Sequence, residues 1–280
     1  MLLVSWTIFN IVLKEKPKKP PSAVAEVPYE RLDFKQSFKA LKDNPNFLLL
    51  VIAFALPFGS VLAIGALMSN IFVPFGYAPN ELAFIALVML LSGVVGSIVT
   101  GAIVDKTGWY KYPMNFIGFS VITATVMIML ALTWFPSNRG AMYGLFALLG
   151  FCAVGYVPLC FSYGAELTFP LQPALINGTL ALLGSGAAGV ISFLGAFLAK
   201  EREGDEDLAE DELNKVQRRR SMHVLLILAI TGVIATVLSF VIKEDLRRLR
   251  FSKAKNATNE EKKKQTEVND ENKKEIELVD

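Results

Sequence analysis

The sequence contains few of the residue types that bind metals or perform catalysis. Its 280 residues include two cysteines and one histidine. Both cysteines, Cys152 and Cys160, lie in one apolar run without the spacing of a metal site, so we expect buried packing residues rather than a disulfide. The sequence has no nucleophile elbow, phosphate-binding loop or paired-carboxylate constellation. We therefore expect no catalytic residues, no metal, no cofactor and no nucleic acid partner, and the chain is predicted not to be an enzyme.

Charged residues are also scarce, and their distribution is uneven. They make up 19% of the chain, compared with about 25% in an average soluble domain. No Asp, Glu, Lys or Arg occurs in five long stretches: 44–80, 82–104, 112–138, 140–165 and 167–199. Apolar runs of about 18 residues or more are typical of membrane-spanning helices. The pattern predicts an all-α integral membrane protein that lies in a lipid bilayer.

The apolar runs predict a six-helix transmembrane bundle over residues 46–242. The spans are predicted at about 46–70, 82–104, 113–135, 141–163, 174–199 and 221–242. Residues 1–13 are apolar but too short to cross a bilayer, so we expect the end of a truncated transmembrane helix, with a short interfacial helix as the alternative. Residues 14–45 predict a basic cytosolic linker that ends in an amphipathic surface helix. Residues 243–280 predict a disordered cytosolic tail.

The distribution of Lys and Arg predicts the orientation of the bundle. If the linker at 14–45 is cytosolic, the cytosolic segments contain 21 Lys and Arg residues and the outer segments contain 7. An excess of basic residues marks the cytosolic side of a membrane protein. The run Arg218 to Arg220 opposes this rule, although eight acidic residues lie nearby in the sequence. We expect the linker and the tail on the cytosolic side.

Residues 93–111 carry the most specific pattern in the chain. A glycine-spaced apolar run ends here in a short polar loop before the next apolar run, which predicts two membrane helices joined by a tight cytosolic hairpin. The loop has the pattern G-x-x-x-D-(R/K)-x-G, formed by Gly101, Asp105, Lys106 and Gly108. Glycine allows close packing of a helix end, and the carboxylate can cap a neighbouring helix or pair with a base. The pattern resembles the loop between the second and third helices of each half of a major facilitator transporter.

That resemblance implies both a fold and a partner. Major facilitator transporters consist of two six-helix halves. The basic linker followed by six spans corresponds to a C-terminal half, and we expect an N-terminal six-helix half, missing from this chain, as its partner. The resemblance also implies a cytosolic gate formed by Gly101, Asp105, Lys106 and Glu166. Plain solvation of Glu166 at a helix end is an equally good interpretation.

A longer match is narrower than the superfamily. The stretch Gly93 to Lys111, the segment Tyr156-Val-Pro-Leu and the segment from Gly164 to Pro170 resemble the feline leukaemia virus subgroup C receptor family. The resemblance implies transport of a small organic solute by alternating access, with a choline- or ethanolamine-like molecule or haem as substrate. We expect a multi-pass protein of the plasma membrane.

Aromatic residues in the spans are candidates for binding a quaternary ammonium, because aromatic faces attract cations. The expected substrate-binding residues are Phe54, Phe58, Asn70, Tyr156 and Tyr163, with Phe161 as a further aromatic candidate. Each aromatic residue is alternatively a packing residue. Asn70 is expected to hydrogen-bond either the substrate or interrupted helix backbone.

A second function is compatible with the same sequence. The predicted bundle contains half of the helices that would enclose a central cavity. The alternative hypothesis is therefore a truncated, transport-inactive membrane protein that acts as an interaction or regulatory subunit.

Overall fold

The computed structural model describes residues 34–199, 210–243, 246, 249–251 and 254. The predictions for 1–13, for most of the 14–45 linker and for most of the 243–280 tail lie outside the described residues. The bundle belongs to one compact unit, Arg31–Asp245. A second unit combines Met1–Glu30 with Leu246–Asp280, and its described residues include a backbone hydrogen bond of 3.1 Å from the Arg250 amide to the Leu246 carbonyl.

Helices make up the described part of the bundle, and no strand occurs there. They are α1 (Phe34–Lys42), α2 (Pro45–Ala66), α3 (Met68–Phe72), α4 (Pro79–Thr107), α5 (Lys111–Trp134), α6 (Arg139–Leu167), α7 (Pro173–Ala199) and α8 (Glu210–Val241), with a 3-10 turn at Val73–Phe75. Six of them, α2 and α4 to α8, are long and apolar enough to cross a membrane. This finding confirms the predicted all-α membrane fold.

Helix α2 ends before its apolar run does, and α8 begins well before its own run. The first run extends to about residue 70, but α2 ends at Ala66 and the chain continues as the short helix α3. The last run begins at about residue 221, whereas α8 begins at Glu210. The added residues are rich in Glu, Lys, Gln and Arg, which are good helix formers. Hydropathy therefore identifies only the apolar part of α8, and the helix continues into the preceding polar residues because of their helix propensity.

The central helices of the bundle are α2 and α6. Helix α2 packs against α7 and α8, α6 packs against α4 and α5, and α5 also contacts α8. Helix α4 contacts mainly α6 and α7 contacts mainly α2, so one side of each faces away from the bundle. Apolar side chains such as Phe84 and Leu90 on α4 and Phe193 and Phe197 on α7 are exposed there. In a membrane these sides would contact lipid or another helical partner.

Polar contacts join the helices at the end that we call the inner end. It contains the start of α2, the α4–α5 and α6–α7 connections and the end of α8, and it is the predicted cytosolic end. The Asn44 side-chain oxygen accepts a hydrogen bond from the Phe47 amide and caps α2, while its Nδ2 donates to the Leu167 carbonyl at 3.1 Å. The Lys111 Nζ donates to the Ile242 carbonyl at 2.8 Å. A cation at a helix C-terminus is favourable, so this lysine ties α5 to α8.

The opposite end, which we call the outer end, is held by a group that we call the outer clamp. It consists of Tyr77, Glu81 and Arg139 with the carbonyls of Gly76 and Pro136. The Arg139 guanidinium donates to Gly76 at 2.7 Å and Pro136 at 3.3 Å, contacts Glu81 at 3.2 Å and lies 4.1 Å from the Tyr77 ring centroid. The Tyr77 hydroxyl donates to Pro136 at 3.0 Å, and burial raises the pKa of this phenol. The clamp joins the α6 start to the loop before α4.

We expect Asn44→Ala to lower the free energy of unfolding by about 1–3 kcal/mol, because it removes both an N-cap and the link to α6. Asn44→Asp keeps the capping oxygen but lacks the amide donor, so its loss should be smaller. Thermal unfolding of the purified chain in detergent measures both. An equal loss for the two variants would contradict the capping contribution.

Candidate functional site

Four aromatic side chains from the two central helices meet in a group that we call the aromatic cluster. It consists of Phe54 and Phe58 on α2 and Tyr156 and Phe161 on α6. The ring of Phe54 stacks on Phe58 at 4.9 Å between centroids and lies parallel to Tyr156 at 6.4 Å, with planes 11° apart. Phe161 approaches Phe54 at 5.7 Å with a tilt of 49°. The structure therefore brings together three of the predicted substrate-binding residues and Phe161.

The cluster has a buried part and a partly exposed part. Phe54 and Tyr156 are buried, whereas Phe58 and Phe161 are half-buried. Gly184 of α7 makes room for the rings, because a Cβ there would lie 2.8 Å from the Phe58 Cδ1 atom. A void of about 10 Å³ adjoins Phe58 and Tyr156, close to the volume that one water needs. The half-buried rings are the ones that a solute could reach.

The hydroxyl of Tyr156 has a partner on the neighbouring helix. It donates a hydrogen bond of 3.2 Å to the Ala53 carbonyl, and both residues are buried. A buried tyrosine hydroxyl usually has such a partner. This bond fixes the position of the ring relative to α2.

The remaining two substrate-binding candidates lie away from the cluster. Tyr163 is fully buried near the inner end of α6 and stacks on Tyr110 at 5.6 Å, with planes 11° apart. Asn70 is exposed on α3 at the outer end. It lies in an open cavity of about 420 Å³ whose lining also includes Ser69, Val73, Pro74, Ala199 and Gln217. The structure therefore divides the predicted substrate residues among the middle and both ends of the bundle.

The gate candidates all lie at the inner end. Asp105 and Lys106 are exposed on the last turn of α4, and Glu166 is buried near the end of α6. A Cβ on Gly101 would meet no atom within 4 Å in the part of the chain that the structure describes, so the expected close packing of this glycine is not made there. Gly108 ends α4 with φ +65°, a conformation that favours glycine. The last glycine of the motif therefore has a defined structural role, while the gate itself stays a prediction.

Comparison with known proteins assigns the chain to a family. Residues 1–199 match the sequence model of the family described as Major Facilitator Superfamily. The chain belongs to the major facilitator superfamily. Because this is a transporter family, the prediction that the chain is not an enzyme is confirmed on that ground.

Several curated proteins are similar to this major facilitator chain. Choline/ethanolamine transporter FLVCR1 of Mus terricolor is 30% identical over 253 residues, which cover 85% of the chain and 40% of that protein. Choline/ethanolamine transporter flvcr2a of Danio rerio is 31% identical over 196 residues, covering 63% of the chain and 39% of the relative. Choline/ethanolamine transporter FLVCR2 of Homo sapiens is 30% identical over 185 residues, covering 61% and 33%. These relatives confirm the resemblance to the feline leukaemia virus subgroup C receptor family, and the chain spans about 40% of their length or less.

Sequence reasoning missed several neighbours of the candidate residues. Gly184 is one of several glycines in its span, so the sequence does not distinguish it from the others. Tyr110 lies in the loop motif, and the sequence does not indicate which residue it contacts. Both lie far from their contacts in sequence, Gly184 against α2 and Tyr110 against α6. Within the described residues, no group of three His, Cys, Asp or Glu side chains is arranged to hold a metal ion.

Proposed function

We propose that this chain is part of a carrier that transports a small organic cation of the choline or ethanolamine type by alternating access. The observation that carries the proposal is the aromatic cluster between α2 and α6. The similarity to relatives that are named choline/ethanolamine transporters supports it. The plasma membrane is the proposed location.

The chemistry of the cluster suits a quaternary ammonium. An aromatic face attracts a cation with about 0.5–2 kcal/mol, and the attraction increases when the site is dry. Phe58 and Phe161 present partly accessible rings, while Phe54 supports them from behind. Haem would need an axial ligand such as His, Cys, Met or Tyr; the single histidine, His223, is exposed on α8, and the hydroxyl of Tyr156 in the cluster already bonds the Ala53 carbonyl. A choline-like substrate is therefore the better proposal.

The cytosolic gate is proposed at the inner end. Asp105 and Lys106 project from the end of α4, where charged groups of a partner half would meet them. Glu166 supports the same end from within α6, since a buried carboxylate in a membrane protein is costly and tends to serve a function. The proposed partner is an N-terminal six-helix half, against which this bundle would rock.

Phe58→Leu tests the substrate site. Leucine retains most of the volume but has no aromatic face, so we expect choline binding to weaken about two- to thirtyfold. The measurement is equilibrium binding of radiolabelled choline to the purified 280-residue chain in lipid vesicles. The neutral isostere 3,3-dimethylbutanol, applied as a competitor, should be affected less because it carries no charge.

Phe193→Leu is the matched control, since Phe193 is an exposed phenylalanine on α7 outside the cluster. It should leave choline binding unchanged. Equal weakening by both variants, or equal loss of choline and isostere binding, would contradict the cation–aromatic proposal.

The alternative function is an interaction or regulatory subunit without transport activity. The observation that favours it is the row of exposed apolar side chains on α4 and α7, such as Phe84 and Phe193, which another membrane protein would cover. If the chain shows neither saturable choline binding nor choline flux in vesicles, this alternative replaces the carrier proposal.

A further inference from the structure

Helix α2 contains a proline at its centre. Pro57 lies inside the helix, which runs without a break from Pro45 to Ala66. Proline has no N–H, so the carbonyl four residues earlier, on Ala53, loses its usual helical donor. Inside a membrane such a carbonyl is satisfied by a neighbouring helix, a Ser or Thr side chain, an ordered water or a local change of helix geometry. The continuity of α2 therefore depends on what satisfies Ala53.

The donor comes from α6. The Tyr156 hydroxyl donates to the Ala53 carbonyl at 3.2 Å, and the relative exposures are 0% for Ala53 and 4% for Tyr156. We infer that the Tyr156 hydroxyl replaces the missing N–H of Pro57 and that this bond is a lock that keeps α2 continuous across the aromatic cluster. Tyr156 is thus a positioning residue, which acts on the cluster through the backbone of α2.

The outer half of α2 is attached to other helices. A Cβ on Gly59 would lie 2.9 Å from the Ala188 backbone nitrogen, so α2 and α7 touch through their backbones just beyond Pro57. Ser60 shares a hydrogen bond of 2.7 Å with Thr231 of α8. The lock to α6 and the attachments to α7 and α8 therefore lie on either side of Pro57. Opening the lock would leave Ala53 to Pro57 as the least supported part of the α2 backbone, next to the attachments at Gly59 and Ser60.

The same bond sets the geometry of the cluster. With its hydroxyl held by Ala53, the Tyr156 ring lies parallel to Phe54, 11° from its plane. The adjoining void of about 10 Å³ is lined by Pro57, Phe58 and Tyr156, so it borders both the proline and the cluster. A bend of α2 at Ala53 would therefore act directly on the position of the Tyr156 ring. The lock itself rests on geometry alone, and only its use in transport rests on the proposed function.

A double-mutant cycle on the purified 280-residue chain in lipid nanodiscs tests the lock. The readout is hydrogen–deuterium exchange of the α2 amides around Ala53 to Gly59. Tyr156→Phe leaves the Ala53 carbonyl without its donor, and we expect exchange there to increase about tenfold. In a Pro57→Ala background the backbone N–H restored at position 57 supplies the bond, so adding Tyr156→Phe should leave the exchange unchanged. This rescue would not occur if the hydroxyl only contributed general packing.

Tyr143→Phe is the matched control, because Tyr143 is a half-buried tyrosine near the start of α6. It should not alter exchange in α2. The same increase for Tyr156→Phe with and without Pro57→Ala, or no increase when Pro57 is retained, would overturn the inference. If Pro57→Ala does not fold, an increase confined to α2 in Tyr156→Phe and absent in Tyr143→Phe supports the lock, and an increase spread over all helices overturns it. None of these measurements involves choline, so a negative result would contradict the lock without contradicting the proposed substrate.

Discussion

Gly96→Ala is expected to destabilise the bundle by about 1–3 kcal/mol, although alanine is the better helix former. Helices α4 and α6 touch through their backbones at this residue, and a Cβ on Gly96 would come within 2.7 Å of the carbonyl carbon of Phe151. Gly150 of α6 makes the reciprocal approach, 2.8 Å from the carbonyl carbon of Met89. A backbone obstacle cannot move aside as a flexible side chain can, so the two helices must separate.

The same substitution elsewhere on α4 provides the control. Gly101 is also helical, and a Cβ there would meet no atom within 4 Å among the described residues. Gly101→Ala should therefore be neutral or should stabilise the chain by up to about 1 kcal/mol through helix propensity. Thermal unfolding of both variants in the same detergent gives the comparison. A stable Gly96→Ala variant would show that α4 and α6 are less closely packed than the structure indicates.

Arg139→Ala is expected to lower the free energy of unfolding by about 1–3 kcal/mol, because it removes the charge-assisted hydrogen bonds to the Gly76 and Pro136 carbonyls and leaves Tyr77 as the remaining side-chain donor to Pro136. The guanidinium fork reaches Gly76, Pro136 and Glu81 from one position and lies over the Tyr77 ring. The effect should be localised, with faster hydrogen exchange in the 76–78 loop and at the start of α6. Thermal unfolding and hydrogen exchange together measure both aspects.

Two further variants separate geometry from charge in the clamp. Arg139→Lys keeps the charge but lacks the planar fork, so it should lose most of the stability that Arg139→Ala loses. Glu81→Gln removes the ion pair and should cause the smaller loss, since an ion pair at 37% exposure on both sides is largely screened by solvent. If Glu81→Gln proved as harmful as Arg139→Ala, the ion pair rather than the carbonyl contacts would hold the outer end.

The candidate residues show how far sequence reasoning reached into the site. Phe54, Phe58 and Tyr156 were predicted as a set because aromatic residues stand out in apolar spans, and the structure brings them together. Tyr163 was chosen on the same ground, but it lies seven residues beyond Tyr156, about 10 Å further along α6. There it stacks on Tyr110 instead. Residue type alone could not distinguish these two tyrosines, because their neighbours come from different helices.

The sequence by itself determined the fold class, the number of spans and the family. An apolar run of about 20 residues crosses lipid as a helix, because a helix satisfies every backbone polar group within the segment. The loop motif at Gly101 to Gly108 is likewise local in sequence. Only the tertiary structure decided which helices touch and therefore what each candidate residue does. The Tyr156 hydroxyl meets a carbonyl 103 positions away because helices α2 and α6 are adjacent in space. That adjacency arises from packing between helix faces along their whole length, and no local pattern in the chain records it.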